Sequence, residues 1–115
     1  MSKIFNKVVG DSGEDRAVEY LKNNGYRIVK RNFKNKLGEI DVIAYDKDIL
    51  VFVEVKTRSS DMFGLPREAV NLQKQRKIRL VATSYIKAYK LFDKICRFDV
   101  VEVLPDSIEI LKDCF

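Results

Sequence analysis

The hydrophobic pattern near the start of the chain has the period of a helix. Three apolar residues and one carboxylate share the i, i+3, i+4, i+7 face: Ala17, Val18, Leu21 and Glu14. The helix is predicted to end at the segment NNGY, where Gly25 can adopt the left-handed conformation of a C-terminal cap. One acidic side chain is therefore expected on the stripe that faces the core.

Three strand-like runs follow, at residues 26–33, 39–45 and 49–55. The first alternates imperfectly, as an edge strand does, whereas the second and third flank the turn-forming segment DKD and are predicted to pair as a hairpin. After the polar loop TRSSDMFGLP, a second helix is predicted from one apolar face: Ile78, Val81, Ala82, Tyr85, Ile86 and Tyr89. Two last strands are expected in ICRFDVVEVL and SIEIL, joined at PDS.

The predicted order α-β-β-β-α-β-β indicates an α/β (α+β) fold with a mixed central sheet flanked by helices. A strand, a helix and another strand in succession allow a parallel crossover beside the antiparallel hairpin. At 115 residues the chain is long enough for one core and too short for two, so residues 1–115 are expected to form a single domain.

Composition narrows the class of protein. The chain is 46% hydrophobic and 34% charged, and no apolar run approaches the roughly 20 residues of a membrane helix, so a cytoplasmic globular protein with no membrane partner is expected. The net charge of +5 suits a polyanionic partner, although many basic proteins of this size bind nothing acidic. The sequence contains no histidine, which excludes serine-histidine and cysteine-histidine catalysis. Any chemistry must therefore use carboxylates and lysine, with or without a metal.

Two carboxylates and a lysine stand out in the predicted hairpin. If a two-residue turn joins its strands, Asp41 lies beside Glu54, and Lys56 shares the face of Glu54. Two ionised carboxylates in a sheet repel each other, and a hard divalent cation such as Mg²⁺, for which Mn²⁺ could substitute, removes that cost. Lys56 could then orient a water molecule or stabilise charge on a phosphate, and Glu14 could add a third carboxylate. This arrangement describes metal-assisted phosphodiester hydrolysis.

Four blocks of the chain, in this order, carry a family resemblance: GEDRAVEYLKNNGYRIVKRNFKNKLGEIDVIAYD, VFVEVKTRSS, FGLPREAV and RFDVVEV. Together they resemble the UPF0102 (YraN-like) family from about Gly13 to about Val103. That family looks like a member of the restriction-endonuclease-like superfamily, whose PD-(D/E)xK nucleases share an α-β-β-β-α-β core, and it is similar to archaeal Holliday-junction resolvases. The resemblance implies a nuclease-like domain with an extra C-terminal strand.

The resemblance also implies roles for individual residues. It places the motif aspartate at Asp41, the second acidic residue at Glu54 and the lysine at Lys56, while the glutamate of the first helix falls on Glu14. The three carboxylates would be the metal ligands, and all four residues would be catalytic. Ile40 stands where the motif has its proline. The implied activity is that of a magnesium-dependent endonuclease.

Four basic residues are candidates for nucleic-acid binding: Arg58, Arg67, Lys74 and Lys77. Gln73 and Lys74 open the second helix, where contacts to a DNA phosphate are expected. An equally good interpretation makes the lysines of this helix a solvated face. A two-fold homodimer would suit an enzyme that cuts branched DNA.

Three hypotheses therefore remain open from the sequence. The first is a Mg²⁺-dependent DNA endonuclease, and the second is a nucleic-acid-binding module that keeps the nuclease fold without turnover. The third is a structural or interaction protein in which Asp41 and Glu54 form salt bridges with Lys56 or Arg58.

Overall fold

The computed structural model describes residues 2–58 and 70–115, and the side chains of residues 13–58 and 70–115. The elements are α1 (Ser2–Asn23), β1 (Tyr26–Asn35), β2 (Gly38–Asp46), β3 (Ile49–Thr57), α2 (Leu72–Ala88), β4 (Cys96–Val103) and β5 (Ile108–Leu111). This is the predicted order α-β-β-β-α-β-β, with the extra strand at the C-terminal end. Most of the predicted loop TRSSDMFGLP lies outside the described residues.

All five strands form one mixed sheet in the order β1-β2-β3-β4-β5. Neighbouring strands are antiparallel except for β3 and β4, which are parallel and are connected through α2. Parallel neighbours need such a crossover, because a tight turn can only reverse the chain. The predicted hairpin, the crossover and the edge position of β1 are confirmed.

Each face of the sheet packs against one helix. On one face, α1 contributes Ala17, Val18 and Leu21 to a core that includes Val51 and Val53 of β3. On the other face, a core containing Leu50 and Phe52 of β3 packs against α2 through Ile78, Val81, Ala82 and Tyr85. Strand β3 is therefore buried on both sides, and the even-numbered residues that follow Phe52 lie on the α2 face.

The helix ends explain how α1 is placed over the sheet. Gly25 has a φ of 89°, the left-handed conformation predicted for the residue after the helix. At Gly13 an added Cβ would collide with the Thr57 hydroxyl, so α1 passes closely over the end of β3.

Tyr89, predicted on the apolar face of α2, is the C-cap and is 56% exposed because the helix has already ended at Ala88. Neither helix, over the residues that are described, has the length and apolar character needed to cross a membrane.

Candidate active site at the ends of β2 and β3

The hairpin register places the two predicted carboxylates side by side. The ladder between β2 and β3 continues to the pair Val42 and Val53, so the next residues in that register are Asp41 and Glu54. Beyond the ladder, the Asp41 carboxylate accepts a hydrogen bond of 2.8 Å from the Val55 N–H. A side chain thus binds the neighbouring strand at a point where a backbone carbonyl would ordinarily do so. The predicted register is confirmed.

Strand β1 is irregular beside Asp41. Asn32 lies between the β1 residues that pair with Val42 and Ile40, which puts it opposite Asp41, and its φ is 54°. Asparagine tolerates this left-handed conformation better than most residues. The Asn32 amide donates a hydrogen bond of 2.9 Å to Glu14 in α1. The irregular strand therefore holds the α1 carboxylate through Asn32.

Glu54 is buried and is contacted by two ammonium groups. Its side chain is 4% exposed, and its Oε2 atom lies 3.5 Å from Lys56 Nζ and 2.5 Å from Lys74 Nζ. Lys74 belongs to the first turn of α2, where the side chain of the N-cap Asn71 accepts a hydrogen bond of 2.9 Å from the Lys74 N–H. This cap fixes the backbone of the turn that presents Lys74 to the sheet.

The electrostatics of this cluster favour fewer than two negative charges on the carboxylates. Burial, the charge of Glu54 and a hydrogen bond with Glu54 raise the pKa of Asp41 to about 7. Burial and the neighbouring Lys74 lower the pKa of Lys56, although Glu54 acts in the opposite direction. Burial also opposes the charge of Lys74, but its hydrogen bond to Glu54 leaves the Lys74 pKa raised. An added cation would relieve the carboxylate repulsion.

A cavity of about 340 Å³ opens between the sheet and the start of α2. Its walls include three acidic side chains from the strands, Glu39, Asp41 and Glu54, and three polar or basic ones from α2, Gln73, Lys74 and Lys77. The first turn of α2 contains no acidic residue. A helix N-terminus with basic side chains favours anions, whereas the carboxylates on the sheet favour cations. One cavity can therefore receive a cation and a phosphate side by side.

Glu14 is near enough to Asp41 for its charge to contribute to the raised Asp41 pKa, while its own side-chain contacts are with β1. It lies 3.3 Å from the Arg31 guanidinium, in addition to its hydrogen bond with Asn32. In residues 13–58 and 70–115, no group of three acidic, histidine or cysteine side chains is placed to hold a metal ion. The described site thus offers Asp41 and Glu54 together, and a metal contact from Glu14 stays a prediction.

The four candidate nucleic-acid contacts have different surroundings. Lys77 is exposed on the cavity wall, whereas Arg58 Nε lies 2.8 Å from Oε2 of the buried Glu102. Lys74 faces Glu54, and Arg67 lies outside the described residues.

The sequence analysis missed the contact between Lys74 and Glu54. A usable signal was present, since Lys74 is four residues before Ile78, the first residue of the buried α2 stripe. The spacing puts Lys74 on the face that α2 turns toward the sheet.

Comparison with known proteins gives a family. The family model described as "Uncharacterised protein family UPF0102" matches residues 13–103. A UPF0102 protein of Clostridium botulinum strain 657 is 47% identical over 117 residues, which cover 96% of this chain and 95% of that protein. The UPF0102 protein of Caldanaerobacter subterraneus subsp. tengcongensis is 50% identical over 114 residues, covering 97% and 93%. That of Caldicellulosiruptor saccharolyticus is 46% identical over 113 residues, covering 93% and 96%. These names identify the family, but they state no activity for it.

Proposed function

This chain belongs to the uncharacterised protein family UPF0102, and we propose that it is a metal-dependent endonuclease that hydrolyses phosphodiester bonds in DNA, including branched or otherwise structured DNA. The observation that carries the proposal is the pair of a half-buried Asp41 and a buried Glu54 with Lys56 beside it, where the ladder between β2 and β3 ends, in a sheet with the α-β-β-β-α-β order of restriction-endonuclease-like cores. A +5 net charge and the basic wall of the cavity support a polyanionic substrate.

The donor set fits a hard divalent cation. Mg²⁺ is commonly bound by one or two carboxylates, with substrate phosphate oxygens and water as its other ligands, and Mn²⁺ accepts similar ligands. Asp41 and Glu54 would supply the two carboxylates, and the raised pKa of Asp41, caused by burial and by Glu54, reflects the repulsion that such a cation relieves. When bound, the cation would polarise a phosphoryl oxygen and offset the charge that develops during hydrolysis.

The remaining side chains would position the reactants. Lys56 lies 3.5 Å from Glu54, where its ammonium can donate hydrogen bonds to an attacking water or to a phosphate oxygen. Lys77 and the first turn of α2 form the opposite wall, where they can bind the phosphate that is cut. The chain thereby holds the phosphate between a cation on the sheet and positive charge on the helix.

A second candidate is a nucleic-acid-binding module without turnover. The observation that favours it is the engagement of Glu54 by both Lys56 and Lys74, because a carboxylate with two ammonium partners resembles a structural ion-pair cluster. In that case DNA would bind along the basic wall and no bond would be cut.

Cleavage assays distinguish the two candidates. Linear, flapped and four-way-branched DNA would be incubated with Mg²⁺, Mn²⁺ or EDTA and with wild type, Asp41→Asn, Glu54→Gln and Lys56→Met. We expect metal-dependent products from wild type, with losses on the order of 10²–10³-fold in the variants. Lys87→Met is the control, since it removes one positive charge from the last turn of α2. Binding without any metal-dependent product would favour the second candidate and contradict the nuclease.

A further inference from the structure

We propose that Lys74 is a built-in counter-ion that occupies the cation-binding side of Glu54, and that it must move away before a divalent metal binds there. This inference rests on the proposed function, because it concerns the same carboxylates. Lys74 would thereby regulate metal binding. The protein without DNA should bind metal weakly, and nucleic acid should promote metal binding.

The contact geometry is the first argument. Lys74 Nζ is 2.5 Å from Glu54 Oε2, closer than Lys56 Nζ at 3.5 Å from the same oxygen. The Glu54 side chain is 4% exposed, and both Glu54 and Lys74 line the cavity through which an ion would arrive. An ammonium is a compact point charge that binds carboxylate oxygens, so it competes directly with a metal for this oxygen.

The mobility of the side chain is the second argument. Lys74 is 44% exposed, and it stands on a turn whose backbone is fixed by the Asn71 cap. Its flexible stem can therefore swing out by rotamer changes alone. Lys56 is held differently, since it belongs to β3 and lies two residues from Glu54. Lys74 is the more exposed of the two ammonium groups, at 44% against 23% for Lys56, and therefore has more room to leave.

Charge balance is the third argument. With all four groups ionised, Asp41 and Glu54 balance Lys56 and Lys74. A divalent cation would leave this cluster with excess positive charge unless an ammonium left or a phosphate arrived. A substrate phosphate in the cavity offers Lys74 a new partner, because Lys77 and the start of α2 form the same wall. Moving Lys74 from Glu54 to that phosphate would couple metal binding to DNA binding.

The test measures metal binding without DNA and without any cleavage. Isothermal titration with Mn²⁺ and thermal shifts in Mg²⁺ would compare wild type, Lys74→Met, Lys74→Arg and Glu54→Gln. Lys77→Met is the matched control, since it removes the same charge from the same cavity wall. We expect Lys74→Met to bind Mn²⁺ roughly tenfold more tightly than wild type, a change of about 1.4 kcal/mol. Lys77→Met should change the affinity by less than about threefold, and Lys74→Arg should stay close to wild type because it keeps the positive charge.

Each other outcome overturns the inference in a distinct way. Equal or weaker Mn²⁺ affinity in Lys74→Met, with binding that still depends on Glu54, would refute the role of Lys74 and leave the metal site of the nuclease intact. Equal tightening in Lys74→Met and Lys77→Met would show a general charge effect. Absence of metal binding in every variant would refute both this inference and the proposed metal dependence.

Discussion

Two buried carboxylates, Asp99 and Glu54, lie on opposite faces of the sheet, at neighbouring positions in the pairing of β3 and β4. Different groups offset their negative charges. Val53 pairs with Asp99, and Glu54 pairs with Val100, in the parallel ladder of β3 and β4. Asp99 is fully buried on the α1 face, whereas Glu54 is buried on the α2 face beside a second carboxylate. The two carboxylates therefore differ in the groups that offset their charges.

Asp99 is the centre of a satisfied network. The guanidinium of Arg97 donates two hydrogen bonds to it, at 2.8 and 2.9 Å, and also reaches Asp46 at 2.8 Å. The Tyr26 hydroxyl and the Asp113 N–H donate two more to Asp99, at 2.8 and 2.9 Å. A planar guanidinium that binds in this bidentate geometry is the strongest side-chain partner a carboxylate can have.

The carboxylate pair differs from this network in the charges that surround it. Within the described residues, no buried side-chain nitrogen or oxygen lacks a partner, so Glu54 and Asp99 are both partnered. Glu54, however, faces a like charge in Asp41, and its cations are lysines that are partly exposed. Repulsion between acids that packing holds together is the usual mark of a functional site rather than a structural one.

The largest loss in the free energy of unfolding is expected when Asp99 is substituted. Asp99→Asn removes the fully buried partner of Arg97, whose side chain is only 14% exposed, so we expect the free energy of unfolding to fall by about 3–5 kcal/mol. Urea denaturation would measure the loss. Asp113→Asn makes the same chemical change at an exposed residue whose backbone N–H donates the hydrogen bond to Asp99, and it should cost less than about 0.5 kcal/mol. Similar losses of stability in the two variants would show that the buried Asp99 carboxylate contributes no more to stability than an exposed one.

The second prediction concerns Asp41, whose substitution should raise the free energy of unfolding by an amount that depends on pH. Because the pKa of Asp41 is raised to about 7 by burial and by Glu54, the folded state binds an extra proton between about pH 4 and pH 7. This contribution to stability is present at low pH and is lost as the pH rises through 7. Asp41→Asn cannot ionise, so between pH 5 and pH 8 it should gain about 2–3 kcal/mol relative to wild type without metal.

Unfolding curves at pH 5 and pH 8 in EDTA test this prediction. Glu39→Gln is the control, because it removes an exposed carboxylate from the same cavity wall, and its effect should change by less than about 0.5 kcal/mol between the two pH values. A pH-independent difference between wild type and Asp41→Asn would mean that burial and Glu54 do not raise the pKa of Asp41.

The smallest expected effect concerns the hydroxyl of Tyr26. Burial and the hydrogen bond to Asp99 raise the pKa of Tyr26, and Tyr26→Phe removes that bond while keeping the ring. We expect a loss of about 1.5 kcal/mol in the free energy of unfolding, since Arg97 still compensates Asp99. Tyr89→Phe, at an exposed tyrosine, should be neutral. A loss as large as that of Asp99→Asn would show that the network fails as a unit.

Much of the fold could be predicted because its signals are local. Alternation and β-branched residues located β2 and β3, and the short turn between them fixed which residues face each other. The Asp41–Glu54 pair followed from that register. The helix α1 and its Gly25 cap followed in the same way from spacing along one segment.

Contacts between distant segments could not be predicted in this way. Glu14 was predicted to face inward and to add a third carboxylate, and its contacts with Arg31 and Asn32 of β1 were not indicated by any spacing in the sequence. The Asp99 network joins residues from β1, β2, β4 and the C-terminal segment, and no spacing in the sequence brings them together. Such pairings depend on where the helices and strands pack.

The sequence by itself determined which residues share a strand face and which meet across the hairpin, because backbone geometry and a short turn leave few alternatives. The contact between Lys74 and Glu54, by contrast, depends on tertiary packing, because Lys74 belongs to a helix that packs on the sheet. The position of α2 is set by long-range burial, in which Tyr85 of α2 packs against Phe52 of β3.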